Sequence, residues 1–117
     1  MSDAADPSAS RVVEEGLPAR TGLSSQTLSR LCKTLTACDA VTSVVLYGSR
    51  AKGTFRNGSD IDLTLIGTQL IDDDLRALMM AIDDLLLPYK VDLSIYSHID
   101  NDALRKHIER VGIRLCG

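Results

Sequence analysis

Apolar and polar positions divide the chain into helical and extended stretches. Leu28, Leu31, Cys32 and Leu35 recur at helical spacing behind Ser24 and Ser25, both good N-caps, and predict a helix over 25–38. Residues 42–47 are β-branched and apolar and stop at Gly48. With Val44, Val45, Leu46 and Tyr47 in succession, they predict a strand covered on both faces. Ser49 to Lys52 fit one helical turn, and Asn57-Gly58 is a turn signal. From Asp60 to Ile66 the pattern alternates. Ile61, Leu63 and Leu65 fall on one face and Asp60, Asp62 and Thr64 on the other.

Leu75, Leu78, Met79, Ile82, Leu85 and Leu86 trace one stripe and predict a helix over 72–86. Asp72, Asp73 and Asp74 suit its positive end, and Pro88 lies past its far end. Lys90 to Tyr96 alternates again, with Val91, Leu93 and Ile95 opposed to Asp92 and Ser94. Asp100, Asn101 and Asp102 offer caps for a helix carrying Leu104, His107, Ile108 and Val111. Gly112 fits its C′ position, and a short strand over 113–116 closes the pattern. The alternation of helices and strands predicts an α/β fold with a small sheet.

Residues 1–22 are rich in Ala, Ser, Asp, Gly and Pro and show no apolar period. They are expected to form a flexible N-terminal arm ahead of a single domain over 23–117. The full length of 117 residues fits one domain. Aromatic residues make up only 3%, so the core is expected to be aliphatic. A net charge of −3 argues against a nucleic-acid binder that works by phosphate neutralisation. No apolar run reaches membrane-spanning length, and the N-terminus has no secretory pattern. Cys32, Cys38 and Cys116 show no paired spacing. They read as small buried hydrophobes in a reducing cytosol, which makes a cytoplasmic location the expectation.

The chemistry gathers between Gly48 and Asp92. Asp60 and Asp62, at i and i+2 on a strand, project to one face. Two carboxylates about 4 Å apart repel by roughly 4 kcal/mol at an effective dielectric of 20, and a hard divalent cation removes that penalty. Taken alone, the pair more readily describes exposed acids at a strand entrance. Asp92 also leaves the core face of its strand, so three acids from two strands form a cluster if those strands are neighbours. Such a cluster can hold two metals for phosphoryl transfer and take a proton from a hydroxyl. Gly48-Ser49 turns from a strand into a helix start, where backbone N–H groups and the Ser49 hydroxyl can meet phosphate. Arg50, Lys52 and Arg56 add positive charge, although Arg56 is as readily a solvated loop residue. A P-loop is excluded because Thr54 and Phe55 stand where Lys and Ser/Thr are needed, and no G-x-G-x-x-G occurs. His98 and His107 read as surface, capping or structural residues, and Tyr47 and Tyr96 as packing residues.

Gly48-Ser49, ten residues, then Asp60-x-Asp62 resembles the signature of the DNA-polymerase-β-like nucleotidyltransferase superfamily. The fuller text Gly48-Ser49-Arg50-Ala51-Lys52-Gly53, Ser59-Asp60-Ile61-Asp62-Leu63 and Lys90-Val91-Asp92-Leu93 is similar to the minimal nucleotidyltransferases of prokaryotes. That likeness extends over 42–117. It implies a small mixed β-sheet with helices packed on it. It also implies two Mg²⁺ ions on Asp60, Asp62 and Asp92, with Asp92 touching the acceptor hydroxyl. Gly48 and Ser49 would hold the β- and γ-phosphates of ATP, with Arg50 and Lys52 at basic positions of the motif. Lys52 stands where relatives often carry arginine, which keeps the charge but loses the bidentate fork.

Minimal members pair with a small helical HEPN-domain protein encoded beside them, as a toxin–antitoxin module. The implied reaction is transfer of AMP from ATP to a toxin tyrosine. The elements leave little chain from which to build an acceptor pocket, which accords with an acceptor brought by a partner. Two other readings stay open. One is a nucleotide-binding partner protein that neutralises by contact, and the other is nucleotidyl transfer to a small molecule or an RNA end.

Overall fold

The computed structural model of the protein describes residues 16–117. Helix α1 (Leu17–Thr21) and helix α2 (Ser25–Thr36) precede strand β1 (Ser43–Tyr47) and the one-turn helix α3 (Ser49–Lys52). Strand β2 (Ile61–Ile66), helix α4 (Asp72–Asp83) and strand β3 (Val91–Ile95) follow. A 3₁₀ turn (Tyr96–His98), helix α5 (Asp102–Val111) and strand β4 (Ile113–Cys116) complete the fold. The expected caps are in place: Ser24 accepts from the Thr27 N–H, and Asn101 from the Leu104 N–H.

The strands form one mixed sheet in the order β3-β2-β1-β4. β1 runs antiparallel to β2 and β4, while β2 and β3, joined through α4, are parallel. Alternation gives the sheet two chemically distinct faces. Val44, Leu46, Ile61, Leu63, Leu65, Leu93 and Ile95 are buried in a core shared with Leu28, Leu31 and Leu35 of α2 and Leu78 and Ile82 of α4. The other face carries Tyr47, Asp62, Thr64, Asp92 and Ser94. α5 lies against its β1 side, so close that a Cβ on Gly112 would meet Val45 Cγ1 at 2.8 Å. That close approach accounts for Gly112, whose φ of −60° is not the left-handed C′ conformation expected for it.

Four expectations are corrected. Residues 17–21, expected within a flexible arm, form α1, with Leu17 and Thr21 buried; the remainder of that arm, residues 1–15, lies outside the described residues. α4 ends at Asp83, three residues short of the predicted stripe, because the chain then passes into the turn where Leu86 adopts φ 54°. Leu86, in that turn, is exposed rather than part of the core, and so is Met79 within α4 itself. Cys32 and Cys116, expected as separate buried hydrophobes, are joined in a disulfide with Cα atoms 6.0 Å apart. A bulge in β4 makes this possible: Val45 pairs with Arg114 but Val44 with Cys116, so Cys116 turns onto the core face towards α2. Cys38 remains a free thiol. Among the described residues, no helix is long and apolar enough to cross a membrane.

Candidate active site

The site is built where β1 ends. Gly48 has φ 77° and ψ −157°, a conformation that is essentially reserved for glycine. Its carbonyl accepts the Lys52 N–H at 3.0 Å and so starts α3, while Ser49 emerges half-buried at the first position of that turn. The turn thus sets Ser49 one residue after Gly48, which itself lies against Asp62 of β2.

Register sets the acids. Tyr47 pairs with Asp62 across β1 and β2, and Asp62 pairs with Asp92 across β2 and β3, so the three form one row over adjacent strands. Strands about 4.8 Å apart leave two carboxylates side by side. Asp60 lies just before β2 and is exposed, as is Asp92, whereas Asp62 is half-buried. One Asp62 carboxylate oxygen occupies the space where a Cβ on Gly48 would sit. Burial, then the Asp92 and Asp60 charges, push the Asp62 carboxyl above its usual value, with Lys90 pulling the other way. Burial likewise raises the Tyr47 hydroxyl, offset in part by Ser94 and reinforced by Asp92 and Asp62.

The donor set fits a hard cation. Its atoms are all carboxylate oxygens, the charges crowd one another, and among the described residues none of the three acids has an ion-pair partner. As the side chains stand, however, no three acids or imidazoles among the described residues converge on a common point. Register brings Asp62 and Asp92 together, but Asp60 falls outside the ladder. Closing the cluster therefore requires the exposed Asp60 and Asp92 side chains to turn inward.

Arg50 departs from its expected role. It is only 2% exposed, and its guanidinium lies between the Phe55 and Tyr89 rings, 5.3 Å and 4.8 Å from their centroids. Its Nε and Nη2 donate to the Ser59 carbonyl and its Nη1 to the Thr21 carbonyl. The fork that was expected to hold phosphate instead ties α1 and the loop before β2 to α3. Buried peptide carbonyls and two aromatic faces satisfy the charge in place of an anion. Lys52 and Arg56 are exposed and keep their charges available to solvent.

His107 is the site residue that the sequence pattern missed. It is half-buried on α5, and its Nε2 accepts the Gly48 N–H at 3.2 Å. Its ring meets Tyr47 edge-on, with centroids 6.2 Å apart. The two partners are 59 positions apart, so local spacing carried no signal. The contact also means that the Gly48 N–H, expected to face phosphate, is already bonded.

Mixed sheet, Gly-Ser turn and carboxylate row together define a nucleotidyltransferase fold, and the sequence agrees. It matches the family described as Polymerase beta, Nucleotidyltransferase over residues 29–117, and the chain belongs to that family. Similar solved structures include a toxin–antitoxin with AMP-PNP, with a TM-score of 0.64 and 23% identity over 76% of this chain and 72% of that one. A doubly substituted mutant of the toxin–antitoxin MntA-HpeT matches with a TM-score of 0.63 and 21% identity, over 76% of this chain and 72% of that one. A singly substituted mutant matches with a TM-score of 0.61 and 23% identity, over 81% and 73%. At these identities the likeness establishes the fold. No curated protein matches the sequence closely enough to count as a relative.

Proposed function

We propose that the protein is a Mg²⁺-dependent nucleotidyltransferase that moves AMP from ATP to a hydroxyl, that of a tyrosine, on a helical HEPN-domain toxin with which it assembles. It thereby acts as an antitoxin. The observation that carries this reading is the pairing of Asp62 with Asp92 in adjacent strands, directly beside the Gly48-Ser49 turn and without an ion-pair partner among the described residues. The family membership supports nucleotidyl transfer, and the three similar structures named above, toxin–antitoxin assemblies of which one holds AMP-PNP, support the choice of partner and nucleotide.

Asp60, Asp62 and Asp92 would hold Mg²⁺, which supplies neutralising charge for phosphoryl transfer when bound. Ser49 offers its hydroxyl and backbone N–H to the triphosphate, and the exposed Lys52 balances its charge. The acceptor oxygen forms its bond to the α-phosphorus as the bond to the bridging α,β-oxygen breaks. Pyrophosphate leaves, and AMP stays on the acceptor. Asp92, exposed at the open side of the row, receives the acceptor proton.

The direct test incubates the chain with its neighbouring HEPN-domain protein, Mg²⁺ and ATP labelled at the α-phosphate. Mass spectrometry should place one AMP on a tyrosine of the partner, and Asp60→Asn/Asp62→Asn should abolish both transfer and protection. Absence of label, with full neutralisation of the partner by that double variant, would overturn catalysis in favour of contact alone.

A further inference from the structure

Gly48 is held from three sides, and one of the holders is a side chain from a distant helix. Its carbonyl takes the Lys52 N–H, the Asp62 carboxylate fills the space of its missing side chain, and its N–H is taken by His107 of α5. We propose that His107 is a positioning residue for the triphosphate: by accepting the Gly48 N–H it fixes the peptide that aims Ser49 at the phosphates. This inference rests on the nucleotidyl-transfer reading above and deepens it.

At φ 77° and ψ −157°, Gly48 sits in a region that does not hold itself. A glycine also offers no side chain to lock the turn, so its orientation must come from its two peptide groups. The peptide after Gly48 is trans and planar, so its carbonyl and the Ser49 N–H point in opposite directions. With the carbonyl committed to Lys52, the Ser49 N–H is directed away from α3. The peptide before Gly48 is the remaining freedom, and the 3.2 Å bond to His107 Nε2 removes it. Accepting at Nε2 requires the neutral imidazole with its proton on Nδ1. The ring's edge-on contact with Tyr47, the residue before Gly48, holds the imidazole in that pose. It follows that the Gly48 N–H is not itself a phosphate donor, and that Ser49 supplies the contact.

His107→Phe keeps a ring against Tyr47 and removes the acceptor. His107→Gln returns an acceptor near the position of Nε2. His107→Asn is too short to reach Gly48 and serves as a second acceptor-deleted variant should His107→Phe not fold. Calorimetric titration with ATP and with inorganic tripolyphosphate, both with Mg²⁺, should show about tenfold weaker binding of each to His107→Phe and His107→Asn, the size expected for one lost positioning hydrogen bond. His107→Gln should recover to within about twofold of the native chain, a rescue that mere ring packing does not predict. The Gly48 amide in ¹⁵N spectra should lose protection from solvent exchange in the first two variants and regain it in the third. Native affinity in a folded His107→Phe or His107→Asn overturns the positioning role and leaves the enzyme reading standing. A native chain that binds neither ATP nor tripolyphosphate overturns both.

Discussion

The Asp62 carboxylate lies in the space that a side chain on Gly48 would need. Gly48 directly follows β1, whose last residue Tyr47 pairs with Asp62 of the antiparallel β2, so the contact is a product of sheet register. It joins the turn expected to hold phosphate and the acid expected to hold metal into one rigid unit.

Gly48→Ala should therefore damage stability and activity together. The added methyl would strike Asp62 and force an alanine into a glycine-only region, a cost of about 1–3 kcal/mol from the backbone alone. Thermal unfolding should fall by roughly 4–12 °C, at about 4 °C per kcal/mol for a domain of this size. ATP affinity should fall further than the stability loss explains, because Asp62 must move. A Gly48→Ala chain that melts like the native one and binds ATP normally would contradict this packing.

Asp62 should also betray itself through pH. Burial and the neighbouring carboxylates raise its pKa in the folded chain, so folding binds its proton more tightly and ionisation works against the fold. That penalty is absent below the ordinary carboxylate pKa of about 4, grows as pH rises towards the raised folded value, and is complete above it. Asp62→Asn should accordingly melt about 2–4 °C higher than native at pH 7, as expected for relief of roughly 0.5–1 kcal/mol in a solvent-screened cluster, and the gap should close near pH 4. Millimolar Mg²⁺ should raise the melting temperature of the native chain and leave Asp62→Asn unmoved. Calorimetric scans over pH, with and without Mg²⁺, check both signs.

What was legible in the sequence was whatever local period and spacing encode. The alternation in Ile61–Ile66 and Val91–Ile95 separated the acids from the core face, and the Gly48-Ser49 spacing to Asp60 and Asp62 carried the family signature. The misses each depend on contacts between distant segments. His107 sits among apolar residues on α5, and only the crossing of that helix over β1 brings it to Gly48. The joining of Cys32 to Cys116 needs a bulge, which no two-residue period foretells. Arg50 looked like a phosphate ligand because motif position records that a cation is required there, not where its side chain points.

Arg50 gives the clearest separation of structural from binding roles. Its fork bridges the Ser59 and Thr21 carbonyls, and lysine has neither the span nor the geometry to replace it. Arg50→Lys should lose about 2–4 kcal/mol, a fall of roughly 10 °C in melting temperature. It should also free α1, so that trypsin cuts after Arg20 before the rest of the domain unfolds. Below its melting temperature the variant should bind ATP within about threefold of native, less than the loss of a charged phosphate hydrogen bond would give. A larger affinity loss without destabilisation would return Arg50 to the phosphate site.

Asp92 should show the opposite behaviour. It stands on β3, an edge strand, exposed and next to Asp62, and among the described residues it has no ion-pair partner whose loss would weaken the fold. Asp92→Asn keeps the shape and removes the charge, so its melting temperature should stay within about 2 °C of native, the range of an ordinary surface change. Transfer should nonetheless slow by about 100-fold or more, the scale of a lost general base, with ATP affinity changed only a few-fold. Single-turnover kinetics on the labelled partner, beside ATP titrations, separate these effects. The comparison with Asp62→Asn is decisive for the division of labour, because a variant at the inner acid should lose nucleotide and metal binding, whereas one at the outer acid should keep the nucleotide and fail at the transfer step. Equal losses of binding and rate in the two variants would mean that Asp62 and Asp92 act as one metal-holding pair, with no separate role for Asp92 at the acceptor.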